Sequence, residues 1–531
     1  MTKHSRRPFA VLSARVAGMF AFVAVLLLMT APGCGKKERT RLFVIGLDGA
    51  TWDLLDPWIA AGELPNLAAL RERSAWGTMN SVIPFLSPPA WTSAITGVNP
   101  GRHGIFDFQR RRGPGQREIV TETAKSRKCS PIWKMIAGAG KKVAIVNVPM
   151  TDPPDDDVDG LLMIAGLPHL DQTGFTHPRE LETRLRSSGY LLEKMEMQLP
   201  PGSEDSTFTR LTTSLERRWE TVRDLYSEVD YDLFWVVFTE SDRVQHMFWK
   251  FDDPDNPGYS AESAARWGGS ILRLWKQQDR ILGELLAGLR PDTWVLVISD
   301  HGFGPMRREL RVSNHLRGDD AGWTDEEAHE VFCLDRSDAA RLYVRAPIRD
   351  PGGHLDSLGQ ATLRAKLEAT LSAARDPADN AAPIEEVFRK EQVFVGPLRE
   401  KGPDLTALAS YGWYLHWGDG DTTAVSRPAF GPPSIALSGW HRMNGIFLLS
   451  GPQARAGKIE TPYSLLDVAP TCLHLLGHPV AEDLEGRVME SAFAQDWMRS
   501  HPIERGGRVN TEERPQTEEE RNQLRNLPYV K

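Results

Sequence analysis

Short apolar runs alternate with longer amphipathic stretches along most of the chain. Four of these runs are nearly continuous in aliphatic and β-branched residues, at 41–47, 142–148, 233–238 and 293–299. Strands that are buried on both faces of a parallel sheet have this pattern. The clearest helical stretches between them are 210–227 and 262–289. The alternation predicts an α/β fold, with an open, mostly parallel sheet and helices on both of its faces.

The segment at about 303–430 is less regular than the rest of the chain. Its pattern predicts a strand at 341–347, a helix at 363–375 and a second pair of short strands near 393–410. These elements interrupt the alternation of long helices and buried strands. We therefore expect the segment to be an inserted subdomain that lies over the sheet.

The core pattern returns after the insertion, with a strand from Asn444 and a helix near 463–476. We accordingly expect one domain to span 41–480. The final segment, 491–531, is rich in charged and amide side chains. This composition predicts a polar tail that wraps the surface or is disordered.

The N-terminus has the composition of an export signal. Basic residues precede an apolar run of 14 residues, Val16–Met29, and no acidic residue appears before Glu38. A short apolar core followed by small residues is typical of a cleaved signal peptide, whereas a membrane-spanning helix needs about 20 apolar residues. We predict a signal peptide over 1–33; the cysteine that follows it resembles that of a bacterial lipobox, which would make Cys34 the lipid-modified mature N-terminus.

The alternative is an uncleaved N-terminal anchor. Either interpretation places the rest of the chain outside the cytoplasm, associated with the membrane. We expect a lipoprotein of the bacterial cell envelope, on its periplasmic or extracellular face.

Charge and cysteine content exclude some classes of function. The chain of 531 residues has a formal net charge of −8, so no nucleic-acid partner is expected. Its other cysteines, Cys129, Cys333 and Cys472, have no CxxC spacing. They are predicted to be buried small residues rather than metal ligands or a disulfide framework.

Acidic side chains follow three of the predicted strands. Asp48 comes directly after 41–47, Asp300 and His301 follow 293–299, and Asp242 and His246 follow 233–238. The carboxyl ends of parallel strands share one edge of a sheet, where ligands of such sheets bind. Carboxylate and imidazole ligands together suit zinc or manganese, with magnesium as a further candidate.

A nucleophile is suggested by Ser87, which precedes Pro88-Pro89 and a helical stretch. Proline is tolerated in the first turn of a helix, so Ser87 is predicted at a helix N-terminus, where the helix dipole favours an anion. Each of these features has a simpler explanation when taken alone: a turn, a surface pair or a helix cap. Their coincidence at the strand ends favours a site.

The ordered set of motifs resembles the alkaline-phosphatase superfamily, in particular its type I phosphodiesterase/nucleotide pyrophosphatase branch. The likeness includes Asp48-Gly49, the Leu64–Leu67 segment, the Thr96–Ile105 stretch after Ser87, and His441 before a strand. It covers about residues 41–480. A subgroup known only as predicted phosphohydrolases or phosphomutases is the most similar.

The resemblance implies a site with two divalent metal ions, which we expect to be zinc. Asp48, Asp300 and His301 would hold one ion beside Ser87, and Asp242, His246 and His441 would hold the other. Ser87 would form a phosphoseryl intermediate during hydrolysis of a small-molecule or lipid phosphate ester.

The sequence also departs from the family pattern. Pro88 lacks the backbone N–H that a residue after the nucleophile offers, so another donor must hold the phosphate, with Lys128, Asn147 and Asn314 as candidates.

Sulfatases share the fold, but their maturation signal needs arginine where Trp91 stands. A phosphomutase, a transferase of phospho-head groups, or a non-catalytic envelope lipoprotein remain alternatives.

Overall fold

The computed structural model describes residues 1, 39–112, 118–193, 199–318, 321–335, 340–347, 349–350, 352–418, 427–509 and 518–529. The chain divides into the units Met1–Arg39 and Thr40–Lys531, and all elements below belong to the second. The predicted signal peptide and Cys34 lie outside the described residues. Within the described part, no helix is long and apolar enough to cross a membrane.

Nineteen strands are found in the described part of the chain. They are β1 (Arg41–Leu47), β2 (Ala75–Asn80), β3 (Gln109–Arg111), β4 (Ile119–Thr121), β5 (Val143–Val146), β6 (Leu161–Ile164), β7 (Thr176–His177), β8 (Leu233–Phe238), β9 (Thr293–Ile298), β10 (Gly302–Arg311), β11 (Val331–Phe332), β12 (Arg341–Val344), β13 (Ile384–Arg389), β14 (Leu405–Ala409), β15 (Gly412–His416), β16 (Phe430–Gly431), β17 (Gly439–Arg442), β18 (Asn444–Ser450) and β19 (Gly457–Ser464).

The α-helices of the same residues vary from one turn to seven. They are α1 (Trp52–Ala60), α2 (Pro65–Glu72), α3 (Ser87–Thr96), α4 (Pro100–His103), α5 (Ile132–Gly138), α6 (Glu180–Ser187), α7 (Glu204–Glu228), α8 (Glu240–Phe248), α9 (Ala261–Trp267), α10 (Ser270–Gly288), α11 (Val312–Leu316), α12 (Asp325–His329), α13 (Ser357–Ala373), α14 (Lys390–Val393), α15 (Val468–Leu475), α16 (Gln495–Ser500) and α17 (Glu518–Arg525).

A central sheet organises the molecule, with described strands in the order β19-β2-β18-β9-β1-β8-β5-β6-β7. The five strands from β9 to β6 pair in parallel, and β18 runs antiparallel between β9 and β2. The predicted α/β fold with a mostly parallel sheet is therefore confirmed.

Both faces of this sheet are covered. Alternate residues of β1 enter two different hydrophobic clusters: Leu42 and Val44 pack with α3, α5 and α15, whereas Phe43 and Ile45 pack with α2, α7 and α10. This two-sided burial explains why the strand is almost uninterrupted in apolar residues.

The segment after β9 builds smaller sheets. Strand β10 pairs with β15, β16 and β17, and a separate sheet has the order β11-β12-β14-β13. Helix α13 and these strands form a third hydrophobic cluster. The exact boundaries of the predicted insertion, about 303–430, stay a prediction.

Several element predictions need correction. The expected helix at 262–289 is two helices, α9 and α10, because Gly269 adopts φ +71° between them. Of the pair of strands expected near 393–410, β14 is confirmed and the other is wrong: residues Lys390–Val393 form a helix, and the strand that pairs with β14 is the earlier β13.

The last described residues pack against the core. Leu524, Leu527 and Tyr529 are buried, and the Tyr529 hydroxyl donates to the carbonyl oxygen of Val393 at 2.7 Å. A hydrogen bond of this kind fixes the end of the chain on the molecule.

Candidate metal centre

The carboxyl ends of β1, β8 and β9 meet at one edge of the central sheet. In the parallel register Leu47 lies opposite Phe238, and Gly46 lies opposite Ile298. The chain that leaves each strand carries the acidic residues that the sequence singled out. The structure thus brings Asp48, Asp242 and Asp300 to one edge of the sheet, as the sequence analysis predicts from their positions after parallel strands.

The first group consists of Asp48, Asp300 and His301, whose ligand atoms lie within 4.8 Å of one another. The Nε2 atom of His301 is 3.2 Å from Oδ2 of Asp300 and 3.7 Å from Oδ1 of Asp48. All three side chains are buried.

The second group consists of Asp242, His246 and His441, which are also buried. Nε2 of His246 lies 3.3 Å from Oδ1 of Asp242 and 2.9 Å from Nε2 of His441. His441 Nε2 lies 3.2 Å from the same carboxylate oxygen. Ligands about 2.0–2.1 Å from a tetrahedral zinc ion would stand roughly 3.3 Å from one another, so the spacing fits such an ion.

Local structure explains how the second group is assembled. Asp242 and His246 are four residues apart on α8 and therefore share one helix face. His441 arrives on β17, which pairs with β10 so that His441 lies opposite Phe303. Because β10 begins directly after His301, this pairing also places the two groups side by side, and the His301 and His441 rings stack with centroids 3.8 Å apart.

Backbone carbonyls fix the tautomers of two of the imidazoles. The Nδ1–H of His246 donates to the carbonyl oxygen of Gly439 at 2.8 Å, and that of His301 donates to Gly302 at 3.1 Å. Each Nε2 lone pair consequently faces a carboxylate oxygen. Backbone partners of this kind are typical of metal-ligating histidines.

Two buried carboxylate oxygens of the first group lack hydrogen-bond partners. Asp48 Oδ1 and Asp300 Oδ2 have no hydrogen bond, although both atoms are buried. Burial raises the pKa of Asp48 well above its ordinary value, and the charges of Asp300 and Asp242 add to this rise. Burial and the Asp242 charge likewise raise the pKa of Asp300 to about 7. A divalent cation would satisfy these oxygens and offset their repulsion, so the residues fit a metal ion.

The histidines are suited to the same role. Burial lowers the pKa of His301 to about 4 and, together with the neighbouring His301, that of His441 to about 3. Both imidazoles are therefore neutral near pH 7, which is the form that binds a metal.

Ser87 is the first residue of α3, as its prolines predict. Its Oγ lies 3.4 Å from His301 Nε2, so the hydroxyl stands beside the first group. One turn later, the Nε1–H of Trp91 donates to Oδ2 of Asp48 at 3.1 Å. This bond holds the helix that carries Ser87 against the turn that follows β1 and carries Asp48.

Sequence reasoning missed Arg243, which is buried beside the second group. Its Nη1 lies 3.8 Å from Oδ2 of Asp242, and its Nε–H donates to Glu193 at 2.9 Å. The guanidinium also lowers the pKa of Asp48, as a minor influence beside burial. Its position directly after Asp242 was a local signal, but many arginines next to an acidic residue lie at the surface.

The predicted phosphate donors have other neighbours. Asn147 donates to the carbonyl oxygen of Val237 at 3.0 Å, and Asn314 donates to the carbonyl oxygen of Arg427 at 2.8 Å. Lys128 is exposed. The three cysteines of the described residues form no disulfide bond: Cys129 and Cys472 are buried and Cys333 is half-buried.

An open α/β sheet thus gathers carboxylates, imidazoles and a helix-borne serine at one edge, which agrees with the resemblance to the alkaline-phosphatase superfamily. The family model for type I phosphodiesterase/nucleotide pyrophosphatase matches residues 42–441. The chain belongs to this family of phosphoester hydrolases, and the resemblance seen in the sequence is confirmed.

Solved structures share the fold. Murine ectonucleotide pyrophosphatase/phosphodiesterase 5 is 16% identical with a TM-score of 0.50, over 83% of this chain and 96% of that one. An inactive variant of the murine protein has been solved with AMP, at 17% identity and a TM-score of 0.50. Phosphonoacetate hydrolase from Sinorhizobium meliloti 1021 is 17% identical with a TM-score of 0.54, over 83% of this chain and 95% of that one.

Proposed function

We propose that the protein hydrolyses a phosphate ester of a small molecule or lipid at a two-metal site, with Ser87 as the nucleophile. The observation that carries this proposal is the juxtaposition of two buried ligand groups with a serine hydroxyl 3.4 Å from one of them. Membership of a family of phosphoester hydrolases supports it.

Asp48, Asp300 and His301 would hold one metal ion next to Ser87, and Asp242, His246 and His441 would hold the other. Mixed carboxylate and imidazole donors favour zinc, while manganese and magnesium remain candidates. When bound, such a pair of ions lowers the pKa of a nearby hydroxyl and stabilises the charge that develops during in-line displacement.

Ser87 would supply the attacking oxygen. Its Oγ forms a bond to phosphorus as the bond between phosphorus and the ester oxygen breaks, and the serine proton passes to solvent. The departing alkoxide takes a proton from water. Attack by water on the phosphoserine then releases phosphate, or a monoester if the substrate was a diester, and returns the proton to Ser87.

The N-terminus of α3 offers few donors for the phosphoryl oxygens. Pro88 and Pro89 have no N–H, and the N–H of Ala90 is bonded to the carbonyl oxygen of Leu86 at 3.0 Å. Arg243 is buried beside Asp242, and we assign the phosphoryl-binding role to it. A guanidinium held by Glu193 keeps further N–H groups for a phosphate.

The central test uses bis-(p-nitrophenyl) phosphate and p-nitrophenyl phosphate as substrates of the metal-loaded protein. We expect Ser87→Ala to abolish turnover while the bound metal, measured by elemental analysis, stays unchanged. Ser93→Ala is the matched control, since it removes a hydroxyl from the same helix where Oγ contacts His103 instead. Full activity of the Ser87→Ala variant would disprove the assignment of Ser87 as the nucleophile.

A second experiment separates hydrolysis from transfer. A phosphomutase or a phospho-head-group transferase would form the same phosphoserine but pass it to an acceptor other than water. Trapping of the phosphoprotein in a single turnover, followed by addition of alcohols or sugar phosphates, distinguishes these outcomes. The ratio of diester to monoester turnover then gives the substrate class.

We also propose that the protein is exported and anchored through a lipid on Cys34. The basic start, the apolar run Val16–Met29 and the small residues before Cys34 support this proposal. Cys34→Ala should move the protein from the membrane fraction to the soluble fraction. Retention in the membrane would favour an uncleaved anchor instead.

A further inference from the structure

A cleft lies between the β3–β4 region and the sheet that contains β11 and β12. Its volume is about 410 Å³, which is in the range of pockets for small organic ligands. Its lining contains neither Ser87 nor any member of the two metal-ligand groups. It is therefore a separate cavity, which we call the basic cleft.

The charge of the basic cleft is opposite to that of the chain. Its described lining has seven lysine or arginine residues and only two acidic residues. The whole chain has 71 acidic against 63 basic residues, so this concentration of positive charge is local. A cleft lined by one sign of charge concentrates ions of the other sign.

The two carboxylates of the cleft are already used by arginines. Asp350 pairs with Arg111 at 3.2 Å and with Arg349 at 2.9 Å, and Glu122 pairs with Arg110 at 3.0 Å. Since these pairs consume the negative charge, the lysines of the lining are left uncompensated.

Three lysines provide this surplus charge: Lys125, Lys128 and Lys401. All three are exposed, and in the described part of the chain no carboxylate lies within 4 Å of their ammonium groups. Such ammonium groups can bind anions without breaking an existing ion pair. Lysine acts as a point charge in phosphate recognition.

The cleft also has an apolar wall. Phe332 and Tyr343 belong to its lining, with the guanidinium of Arg111 4.7 Å from the Phe332 ring centroid and that of Arg349 5.1 Å from the Tyr343 ring. The cation–π contacts hold the arginines against the rings. Leu334 and Leu398 also belong to the lining and are only half-buried, so one part of a ligand would meet ammonium groups while another part would contact apolar side chains.

We propose that the basic cleft binds an organic anion with at least two negative charges next to an aromatic or aliphatic group. An organic phosphate or a phosphorylated lipid head group has this chemistry. The argument depends only on the lining of the cleft, so it holds whether or not the proposed hydrolysis is correct.

The test uses the full, metal-loaded protein and the fluorescent trisulfonate pyranine, an aromatic polyanion that has no phosphate ester to cleave. Fluorescence anisotropy should show saturable binding that weakens as salt rises. The double variant Lys125→Glu/Lys401→Glu should bind pyranine at least tenfold more weakly. Its control is Lys276→Glu/Lys458→Glu, the same charge change at two other surface lysines.

Two competitors identify the source of the ligand. Displacement of pyranine by 1-naphthylphosphonate alone indicates a soluble organic anion, and displacement by phosphatidylcholine vesicles that contain phosphatidic acid indicates a lipid head group. Equal weakening in both double variants would overturn the proposal, as would an absence of saturable binding. Loss of pyranine binding after metal chelation would place the probe at the metal centre and would also overturn it.

Discussion

Trp91→Phe is expected to weaken metal binding through a single hydrogen bond. The Trp91 indole donates to Oδ2 of Asp48 at 3.1 Å, while Oδ1 of the same carboxylate has no hydrogen-bond partner. Both residues are buried, so water does not readily replace the lost donor. A hydrogen bond to a charged group contributes about 1.5–3 kcal/mol. Because about 1.4 kcal/mol corresponds to a factor of ten, zinc affinity should fall about 10- to 100-fold.

The assay is a competition between the metal-free protein and a chromophoric zinc chelator. Trp133→Phe is the matched control, because its indole is equally buried and donates to Asp155 at 2.9 Å, away from the ligand groups. Both variants should lose stability, since each leaves a small cavity. Only Trp91→Phe should lose metal affinity. Equal zinc affinities in the two variants would refute the role assigned to Trp91.

Three further predictions concern the metal centre and its support. His441→Ala should reduce the bound zinc from two ions to one per chain in elemental analysis, and two retained ions would contradict the ligand assignment. Gly46→Ala should lower the free energy of unfolding by about 1–3 kcal/mol in urea titrations, since its Cβ would lie 2.5 Å from the Trp91 ring; an unchanged midpoint would contradict this packing. In the metal-free protein the raised pKa of Asp300, about 7, makes the folded state hold a proton that the unfolded carboxyl has lost, so stability should rise as pH falls from about 8.5 to 7. The lowered pKa of His301, about 4, has the opposite effect: below about pH 6.5 the unfolded imidazole binds a proton that the folded one does not, which offsets the Asp300 contribution, so the stability should level off, and urea titrations that show no rise in stability between pH 8.5 and 7 would contradict the prediction.

Much of the sheet could be predicted because its strands are buried on both faces. The strands at 41–47 and 233–238 begin and end where the apolar runs do. The helix at 262–289 was predicted as continuous because its apolar periodicity passes through Gly268-Gly269, and periodicity alone cannot locate a backbone with positive φ.

The candidate site could be predicted only in part from local pattern. Asp48, Asp300 and His301 follow neighbouring parallel strands, so the topology alone brings them together. His441 was identified by resemblance, since it reaches the site through an antiparallel pairing with a strand that lies more than 130 residues earlier. The Arg243–Glu193 contact and the basic cleft depend on contacts between distant segments, which no short-range pattern encodes.

The two ligand groups differ in how their positions are held, and this difference has a consequence for metal binding. The first group rests on β1 and β9, adjacent strands at the centre of the large sheet. The second needs His441 on β17, which pairs with β10 outside that sheet, and it is joined to α8 through the bond from His246 to Gly439. Disturbance of the β10–β17 pair therefore alters the second group directly, while the central strands keep the first group in place. During gradual unfolding we therefore expect a metal ion at the second group to be lost before one at the first group. Local opening begins where the fewest buried contacts hold the chain.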